Sequence, residues 1–351
     1  MHTPILEIGD RKIGPGFPCF VIAEAGVNHN GDVAMAREMV HTAARSGADA
    51  IKFQTFKAEK LASTHAAKAD YQIDNSHESE SQLDMLRRLE LDEVSVKALK
   101  RECLKSNILF LSTPFDDESV DQLVDLGIPA IKIASGEINN FPLLEHISRT
   151  GKPMILSTGM SYLGEVEAAI RAIRSSGNHQ LALLQCTSNY PALPVEINLR
   201  AMHTLAQAFN LPVGLSDHSE GIEISLAAVA LGACILEKHF TLDRSLPGPD
   251  QASSIEPDEL TSMIKGIHNV EAALGDGGKE PAEREIGTAA VARKSLVTCE
   301  QIRAGSRIEK SQIAIMRPGT GLAPAMLPYV VGRVAKMDIP SGELITFEML
   351  E

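Results

Sequence analysis

The sequence contains no tryptophan, only five cysteines, and no apolar stretch as long as the roughly 18 residues that a membrane-spanning helix needs. The amino-terminal residues MHTPILEIGDRK lack the basic and apolar regions of a secretory signal peptide. We therefore expect a cytoplasmic protein. The odd number of cysteines and the absence of CxxC spacing argue against a disulfide framework and against a structural zinc site.

Positive charge is also scarce, since 33 lysines and arginines face 46 acidic residues for a net charge of −13. Nucleic acids and anionic membranes are bound by basic surfaces, so neither is an expected partner. A small anionic ligand remains compatible with this charge because a few lysines gathered in one pocket can hold it. Hydrophobic residues make up 44% of the chain, which is typical of globular proteins.

Eight short runs rich in Ile, Val, Leu and Phe recur along the first three quarters of the chain, and each has the length and composition of a strand. They are FVIAEAG (20–26), AIKFQTF (50–56), LFLSTPF (109–115), AIKIASGE (130–137), PMILSTGM (153–160), LALLQCTS (181–188), PVGLSDH (212–218) and CILEKHF (234–240). Helical patterns lie between them, for example over 33–45 and 257–274. The stretch 222–231 is apolar on nearly all sides, and we expect it to be well buried.

Strands that alternate with helices predict a parallel sheet, and eight such units most economically close into an α/β (β/α)8 TIM barrel over residues 1–275. The alternative is an open doubly wound sheet, which favours a glycine-rich phosphate turn after its first strand. Residues 24–29 read EAGVNH and contain no such turn. Residues 276–288 have the composition of a linker, since they are polar and contain Gly and Pro. Residues 289–351 then predict a small β-rich domain.

The connection from 57 to 108 is longer than one helix requires. Its first part, 57–82, is polar and carries few apolar side chains. Long loops after barrel strands often cover the active site, and the alternative interpretation is an ordinary surface excursion.

Polar residues follow every predicted strand, at the end of the barrel where active sites lie. His218 and His239 close consecutive strands, and two imidazoles without thiolates favour an open divalent metal site. The alternative is that one of the two is a hydrogen-bonded core residue. Cys186 and Cys234 lie in apolar runs, and we interpret them as buried small side chains.

Two lysines, Lys52 and Lys132, occupy strands without an acidic neighbour in sequence. Together with the hydroxyls of Thr113, Ser135 and Ser157, they could bind a phosphate and a carboxylate. The alternative pairs each lysine with a glutamate of the barrel interior.

The sequence resembles the sialic acid synthase family, whose members condense phosphoenolpyruvate with N-acetylmannosamine or a related sugar. The resemblance covers nearly the whole chain in order and implies a (β/α)8 barrel followed by a small antifreeze-protein-like (SAF) domain. The motifs that carry it are AEAGVNHNG (23–31), IKFQTF (51–56), STPFD (112–116), KIASGE (132–137), LSTGM (156–160), CTSNYP (186–191), GLSDH (214–218), EKHFTLD (237–243), GPDQASSIEP (248–257) and RPGTG (317–321).

The resemblance also implies roles for individual residues. His218 and His239 would bind a divalent metal, usually Mn²⁺, with Mg²⁺ or Co²⁺ as alternatives. Phosphoenolpyruvate would be held by Lys52, Thr113, Lys132, Ser135, Ser157, Ser216 and Ser188, the last of these at a position that varies in the family. The sugar would be contacted by Glu24, Gln54, Tyr190, Asp250 and Arg317. Catalysis would involve Glu137 as an acid/base candidate, together with Glu24, His218 and His239.

The expected function is therefore an N-acetylneuraminate synthase that activates the sugar aldehyde with its metal and releases phosphate by C–O cleavage. Arg317 would reach the barrel of a partner subunit in a domain-swapped homodimer. The first alternative is a legionaminic or pseudaminic acid synthase that uses a diacetamido-trideoxy hexose. Two further alternatives are a Schiff-base aldolase acting through Lys132 or Lys238, and a non-catalytic carbohydrate-binding protein.

Overall fold

The eight apolar runs form eight parallel strands that close into a barrel, as predicted. A computed structural model describes residues 4–68 and 80–351 of the chain. The barrel strands are β1 (Phe20–Gly26), β2 (Ala50–Thr55), β3 (Leu109–Pro114), β4 (Ile131–Ile133), β5 (Met154–Ser157), β6 (Leu181–Cys186), β7 (Val213–Asp217) and β8 (Ile235–His239). Strand β8 pairs with both β7 and β1, so an open doubly wound sheet is excluded.

Helices alternate with these strands. They are α1 (Val33–Ser46), α2 (Ala58–Leu61), α3 (Gln82–Leu89), α4 (Glu93–Lys105), α5 (Asp117–Asp125), α6 (Phe141–Arg149), α7 (Leu163–Ser175), α8 (Pro194–Ile197), α9 (Ala201–Phe209), α10 (Glu223–Ala230) and α11 (Pro257–Leu274). Helix α1 begins where the Asp32 side chain accepts hydrogen bonds from two backbone amides. It ends at Gly47, which has φ 90° and closes the helix in the left-handed conformation. No helix among residues 4–68 and 80–351 is long and apolar enough to cross a membrane.

The inward-facing side chains change from apolar to polar along each strand. On β1, Phe20 and Ile22 belong to the interior core, and Glu24 follows two residues later. On β2, Ala50 belongs to the same core and Lys52 follows it. Side chains alternate between the two faces of a strand, so each inward row ends in a polar group at the carboxyl end of the barrel. The fold thereby gathers polar side chains from many strands at one end.

The opposite end of the barrel is closed by a hairpin of two short strands, Leu6–Ile8 and Arg11–Ile13. Leu6, Ile8 and Ile13 pack into the interior core with the first residues of the barrel strands. Burial of these apolar side chains removes water from that end. Ligands therefore enter from the carboxyl end.

The prediction for 222–231 is only partly correct. Helix α10 forms over Glu223–Ala230, but only Ser225, Ala228 and Val229 are fully buried. Its other side packs less completely against α11, where Gly266 allows Leu226 to approach closely. Leu231, just after the helix, is 42% exposed. A helix in the outer layer of a barrel buries only the face that packs on the strands, even when its other faces are also apolar.

The connection 57–82 falls partly outside the described residues, since 69–79 are not among them. Of the described part, Ala58–Leu61 forms α2 and Lys57 pairs with Glu90. The α3 residues Met85 and Leu89 pack against Val27 and Phe56, which follow β1 and β2. The chain after β2 is therefore anchored to loops at the carboxyl end of the barrel.

The second compact unit spans Asp276–Glu351. It contains α12 (Glu283–Ala292), α13 (Leu327–Val330) and an antiparallel pair formed by β9 (Ser295–Thr298) and β10 (Ile313–Met316). Its own core includes Leu296, Ile302, Val330 and Ile345. Helix α12 crosses the predicted boundary between linker 276–288 and domain 289–351, because EREIGTAAVA is rich in strong helix formers that outweigh its single glycine.

Candidate active site

A pocket of about 310 Å³ opens at the carboxyl end of the barrel. Its lining draws on every one of the eight strands or the residues just after them. The lining side chains with polar or ionisable atoms are those of Glu24, Lys52, Gln54, Thr113, Ser135, Ser157, Cys186, Ser188, Tyr190, Ser216, His218, Glu237 and His239. A larger groove of about 720 Å³ lies between α7 and α9 on the outside of the barrel, but it contains no comparable set of converging polar groups.

Lys52 is buried and surrounded by oxygen atoms. Its Nζ lies 2.7 Å from Oε2 of Glu24 and donates a 3.0 Å hydrogen bond to Oγ1 of Thr113. Oε2 of Glu237 lies 3.7 Å away. Burial lowers the pKa of Lys52, but the two carboxylates outweigh it and raise the pKa above its ordinary value. Lys52 is therefore a fixed positive charge in the pocket.

Lys132 lies on the other side of Glu237. Its Nζ donates hydrogen bonds of 2.6 Å to Oγ of Ser157 and 3.0 Å to the carbonyl of Ile133, and it lies 3.6 Å from Oε1 of Glu237. Burial lowers the pKa of Lys132, and the carboxylate of Glu237 opposes that effect. Both predicted arrangements of the lysines are thus present, since each is paired with an interior glutamate and each faces hydroxyl groups.

Glu237 is the main residue that the sequence-based site omitted. Its Oε1 accepts a 2.8 Å hydrogen bond from the hydroxyl of Ser216, and its carboxylate faces both lysines. Burial raises its pKa, but the ammonium groups of Lys132 and Lys52 prevail and lower the pKa of Glu237 to about 2. The signal for this residue was present, because Glu237 and His239 share one face of β8 by the two-residue period.

Glu24 is the second carboxylic acid in the pocket. Burial raises the pKa of Glu24 to about 7, with Lys52 opposing this shift and the negative charge of Glu237 adding to it. The environments of the two acids therefore separate their pKa values, so that Glu237 is ionised throughout the neutral range while Glu24 gains and loses a proton within it. Such separation is typical of acid/base sites.

His218 and His239 are brought together, with ring centroids 5.3 Å apart. Nδ1 of His218 donates a 2.7 Å hydrogen bond to the carbonyl of Thr187, which orients the ring and leaves Nε2 for another ligand. Burial and the charge of His218 lower the pKa of His239 well below its ordinary value, so His239 is neutral. Nδ1 of His239 is buried and has no hydrogen-bond partner among the described residues.

These two imidazoles fit an open divalent metal site. Neutral, oriented imidazole is a good ligand for Mn²⁺ and related ions. Within residues 4–68 and 80–351, no group of three or more His, Cys, Asp or Glu side chains is arranged to hold an ion. The described residues therefore offer two nitrogen ligands rather than a closed structural cage, and water or substrate oxygens would complete the coordination.

Two of the predicted sugar contacts, Tyr190 and Asp250, lie beside the histidines. The Tyr190 ring packs 4.1 Å from the His218 ring and 5.5 Å from the His239 ring, measured between centroids. Gln54 lines the pocket next to Lys52. Asp250 is buried with Oδ2 3.9 Å from Nδ1 of His239, and burial raises the pKa of Asp250 to about 6. Tyr190 and Asp250 therefore lie against the His pair.

Some residues singled out from the sequence are not among the lining side chains of the barrel pocket. Lys132 and Asp250 lie beside the lining residues Ser157 and His239. Glu137 lies in a 3₁₀ turn, Ser135–Glu137, and its carboxylate accepts a 2.7 Å hydrogen bond from Asn140 instead of facing Lys132. Lys238 faces the outer side of β8, where it donates to Oδ2 of Asp217 at 3.0 Å. Arg317 belongs to the second unit, and its Nε donates to the carbonyl of Ala292. The acid/base assignment of Glu137 and a Schiff base at Lys238 therefore receive no support from this geometry.

The two cysteines of the apolar runs differ. Cys234 is buried, and its thiol donates to the carbonyl of Val213. Burial raises the pKa of Cys234 to about 11, as fits a small core side chain. Cys186 instead lines the pocket, with Sγ 3.8 Å from Nδ1 of His218. Burial opposes ionisation there, but His218 lowers the pKa of Cys186 to about 7. Cys186 is therefore buried, as predicted, and it also belongs to the site.

Gly159 shapes the wall that carries two of the predicted phosphoenolpyruvate contacts. Its amide donates a 2.9 Å hydrogen bond to Oγ of Ser135. A Cβ at this position would lie 2.8 Å from that oxygen and would also collide with the hydroxyl of Ser188. Overpacking of this kind typically costs about 1–3 kcal/mol.

We expect Gly159→Ala to raise the KM for phosphoenolpyruvate about tenfold, because both hydroxyls must move. Steady-state kinetics with the second substrate saturating would measure this. Gly164→Ala is the matched control, since its Cβ would have no neighbour within 4 Å. An unchanged KM in Gly159→Ala would show that the two hydroxyls do not contact this substrate.

Comparisons with known proteins find matches to both parts of the chain. The sequence model of the NeuB family matches residues 39–279, and that of the SAF domain matches residues 293–351. N,N'-diacetyllegionaminic acid synthase of Legionella pneumophila is 44% identical over 347 residues, which cover 98% of this chain and 98% of that protein. The enzyme of the same name from Campylobacter jejuni is 47% identical over 327 residues, covering 93% and 98%.

Among solved structures, the chain is similar to N-acetylneuraminic acid (sialic acid) synthetase from Leptospira borgpetersenii in complex with citrate. The TM-score is 0.72 and the identity 37%, over 82% of this chain and 95% of that chain. These matches confirm the resemblance to the sialic acid synthases and the expected order of a barrel and a SAF domain. The chain belongs to the NeuB family.

Proposed function

We propose that this protein condenses phosphoenolpyruvate with 2,4-diacetamido-2,4,6-trideoxymannose to form N,N'-diacetyllegionaminic acid and phosphate. One observation carries the reaction class. The pocket is lined by Lys52, two carboxylates and a histidine pair, and the buried Lys132 contacts its lining residues Ser157 and Glu237. The choice of sugar is supported by the relatives, because the legionaminic acid synthases are more similar to this chain than the sialic acid synthetase is. N-acetylmannosamine, the acceptor expected from the sequence, becomes the comparison substrate.

Phosphoenolpyruvate carries a carboxylate and a phosphate, and the pocket offers a separate cation for each. Lys52 with Thr113 forms one group of donors, and Lys132 with Ser157 forms the other. Ser135, Ser188 and Ser216 supply further hydroxyls at the same wall. Fixed donors in a buried site position an anion and stabilise its charge more strongly than water-exposed ones.

The reaction forms one carbon–carbon bond and one carbon–oxygen bond, and it breaks the bond between carbon-2 and the phosphate oxygen. Carbon-3 of phosphoenolpyruvate attacks the aldehyde carbon of the open-chain sugar, and carbon-2 becomes electron-poor. Water then adds at carbon-2, and one of its protons passes to the ionised form of Glu24, which returns it to the former aldehyde oxygen. The bond between carbon-2 and the phosphate oxygen then breaks, and the second proton leaves with the phosphate as the keto group forms. The products are a 2-keto acid extended by three carbons and inorganic phosphate.

The sugar would lie between the histidines and the residues around them, Gln54, Tyr190 and Asp250. A divalent ion such as Mn²⁺, when held by His218 and His239, supplies a Lewis acid for the aldehyde oxygen. In this proposal, Arg317 of a partner subunit completes the sugar site in a domain-swapped homodimer located in the cytoplasm. Light scattering of the purified protein would test the dimer.

The acceptor can be tested by phosphate release from phosphoenolpyruvate with Mn²⁺, using the two sugars in parallel. We expect kcat/KM to be at least about tenfold higher with the diacetamido sugar, because one matched polar contact is worth roughly this factor. A chelator-treated sample is the control. Preference for N-acetylmannosamine would make the protein a neuraminate synthase, and release with neither sugar would contradict the proposed reaction.

A further inference from the structure

Glu237 lies between the two lysines to which we assign phosphoenolpyruvate. Its two carboxylate oxygens are 3.6 Å from Nζ of Lys132 and 3.7 Å from Nζ of Lys52. A third neighbour, Ser216, donates a 2.8 Å hydrogen bond to Oε1. A buried negative charge repels an anionic substrate, so a carboxylate at the centre of this pocket weakens binding of phosphoenolpyruvate in its ground state. We therefore expect the carboxylate of Glu237 to be favourable at a later stage of the reaction.

The connectivity of phosphoenolpyruvate fixes where its carbon-2 lies. This carbon bears both the carboxylate and the phosphate oxygen. When each anionic group binds one of the two lysines, carbon-2 must therefore lie between them. Glu237 reaches the same space from β8, since its carboxylate faces Lys52 and Lys132 together. Of the two lysines, Glu24 contacts only Lys52, so it borders this space from one side.

Carbon-2 is also the atom whose charge changes most. It is uncharged in phosphoenolpyruvate and gains positive character when carbon-3 donates its electron pair to the aldehyde carbon. We infer that Glu237 is a catalytic residue whose carboxylate stabilises the positive charge developing at carbon-2, a role that rests on the proposed function. Oε2 of Glu237 is buried and has no hydrogen-bond partner among the described residues, which leaves it to face this carbon. Glu237 is buried, and a preorganised charge acts most strongly where bulk water is excluded.

A purely positioning role is the competing explanation, in which Glu237 only holds the two lysines apart. The variant Glu237→Gln separates the two explanations. Glutamine has nearly the same shape and still accepts the hydrogen bond from Ser216, but it carries no charge. Removing the charge should destabilise the transition state while relieving repulsion of the bound substrate.

We expect Glu237→Gln to lower kcat about 100-fold, the usual cost of losing one preorganised electrostatic group. The Kd for phosphoenolpyruvate, measured by calorimetry without sugar, should stay the same or decrease. Glu237→Asp keeps the charge at a shorter reach and should recover part of the lost kcat. Glu167→Gln removes one exposed charge from α7 and serves as the matched control.

Two results would overturn this role while leaving the proposed function in place. One is a kcat of Glu237→Gln within about threefold of the wild-type value. The other is a loss of kcat accompanied by an equal rise in Kd, which would make Glu237 a positioning residue. If the wild-type protein itself releases no phosphate with either sugar, the proposed function fails, and the role of Glu237 fails with it.

Discussion

Replacing either His218 or His239 by alanine is expected to lower kcat by at least about 1,000-fold while the barrel stays folded. Both side chains line the pocket near the end of the barrel strands and lie outside the apolar interior core. Truncation therefore removes a ligand without opening a cavity in that core. Unfolding should remain cooperative, at a temperature within a few degrees of the wild-type value.

The loss of kcat is expected because both imidazole rings are held ready to bind an ion. His218 is oriented through the carbonyl of Thr187, and His239 is neutral with its Nδ1 unpaired. A buried nitrogen without a partner costs free energy that a bound ion would repay. Since two nitrogen ligands are all that this pair supplies, losing one should abolish tight binding.

Binding of Mn²⁺ can be followed directly by electron paramagnetic resonance, and turnover by phosphate release. We expect each variant to lose both. His146→Ala is the matched control, because this histidine lies on the outer helix α6 and pairs with Asp121. A folded variant of His218 or His239 that keeps metal-dependent turnover would refute the assignment of these residues as ligands.

The inward rows of the barrel could be predicted from the sequence because their period is simple. The two-residue period of a strand places Lys52 and Gln54 on one face of β2, and both line the pocket. The same rule applied to β8 separates Glu237 and His239, which face inward, from Lys238, which faces Asp217 on the outside. The consecutive polar residues at the end of β8 therefore divide into two sets: Glu237 and His239 belong to the pocket, and Lys238 pairs with Asp217 outside it.

Glu137 shows where this rule stops. The sequence predicts a strand over 130–137, in which Ser135 and Glu137 would share a face. The structure ends β4 at Ile133 and continues with a 3₁₀ turn, so the two side chains diverge. A 3₁₀ helix has three residues per turn, so the side chains of residues i and i+2 point in different directions. Ser135 therefore lines the pocket, and Glu137 contacts Asn140 instead.

The state of each acid depends on neighbours far apart in the chain. Glu24 and Glu237 are both glutamates at strand ends, and nothing local distinguishes them. Barrel closure places Glu237 against two lysines and Glu24 against one. The difference in charge around them, and hence in pKa, requires the three-dimensional arrangement.

Glu24 should make the activity depend on pH near neutrality. Burial raises the pKa of Glu24 to about 7. In the proposed reaction, the ionised form of Glu24 accepts a proton from water at carbon-2. The ionised fraction grows as the pH increases through this value. We therefore expect kcat/KM for phosphoenolpyruvate to rise about tenfold per pH unit below pH 7 and to level off above it.

Glu24→Gln removes this proton acceptor and should lower kcat about 1,000-fold, within the usual range for loss of a general base. The remaining activity should no longer rise through pH 7. His218 offers the strongest competing source of such a rise, because its pKa is also raised, chiefly by Cys186 against the effect of burial. A pH–rate profile of Glu24→Gln under saturating Mn²⁺ decides between them. If the rise persists in this variant, it belongs to His218 and Glu24 is not the base.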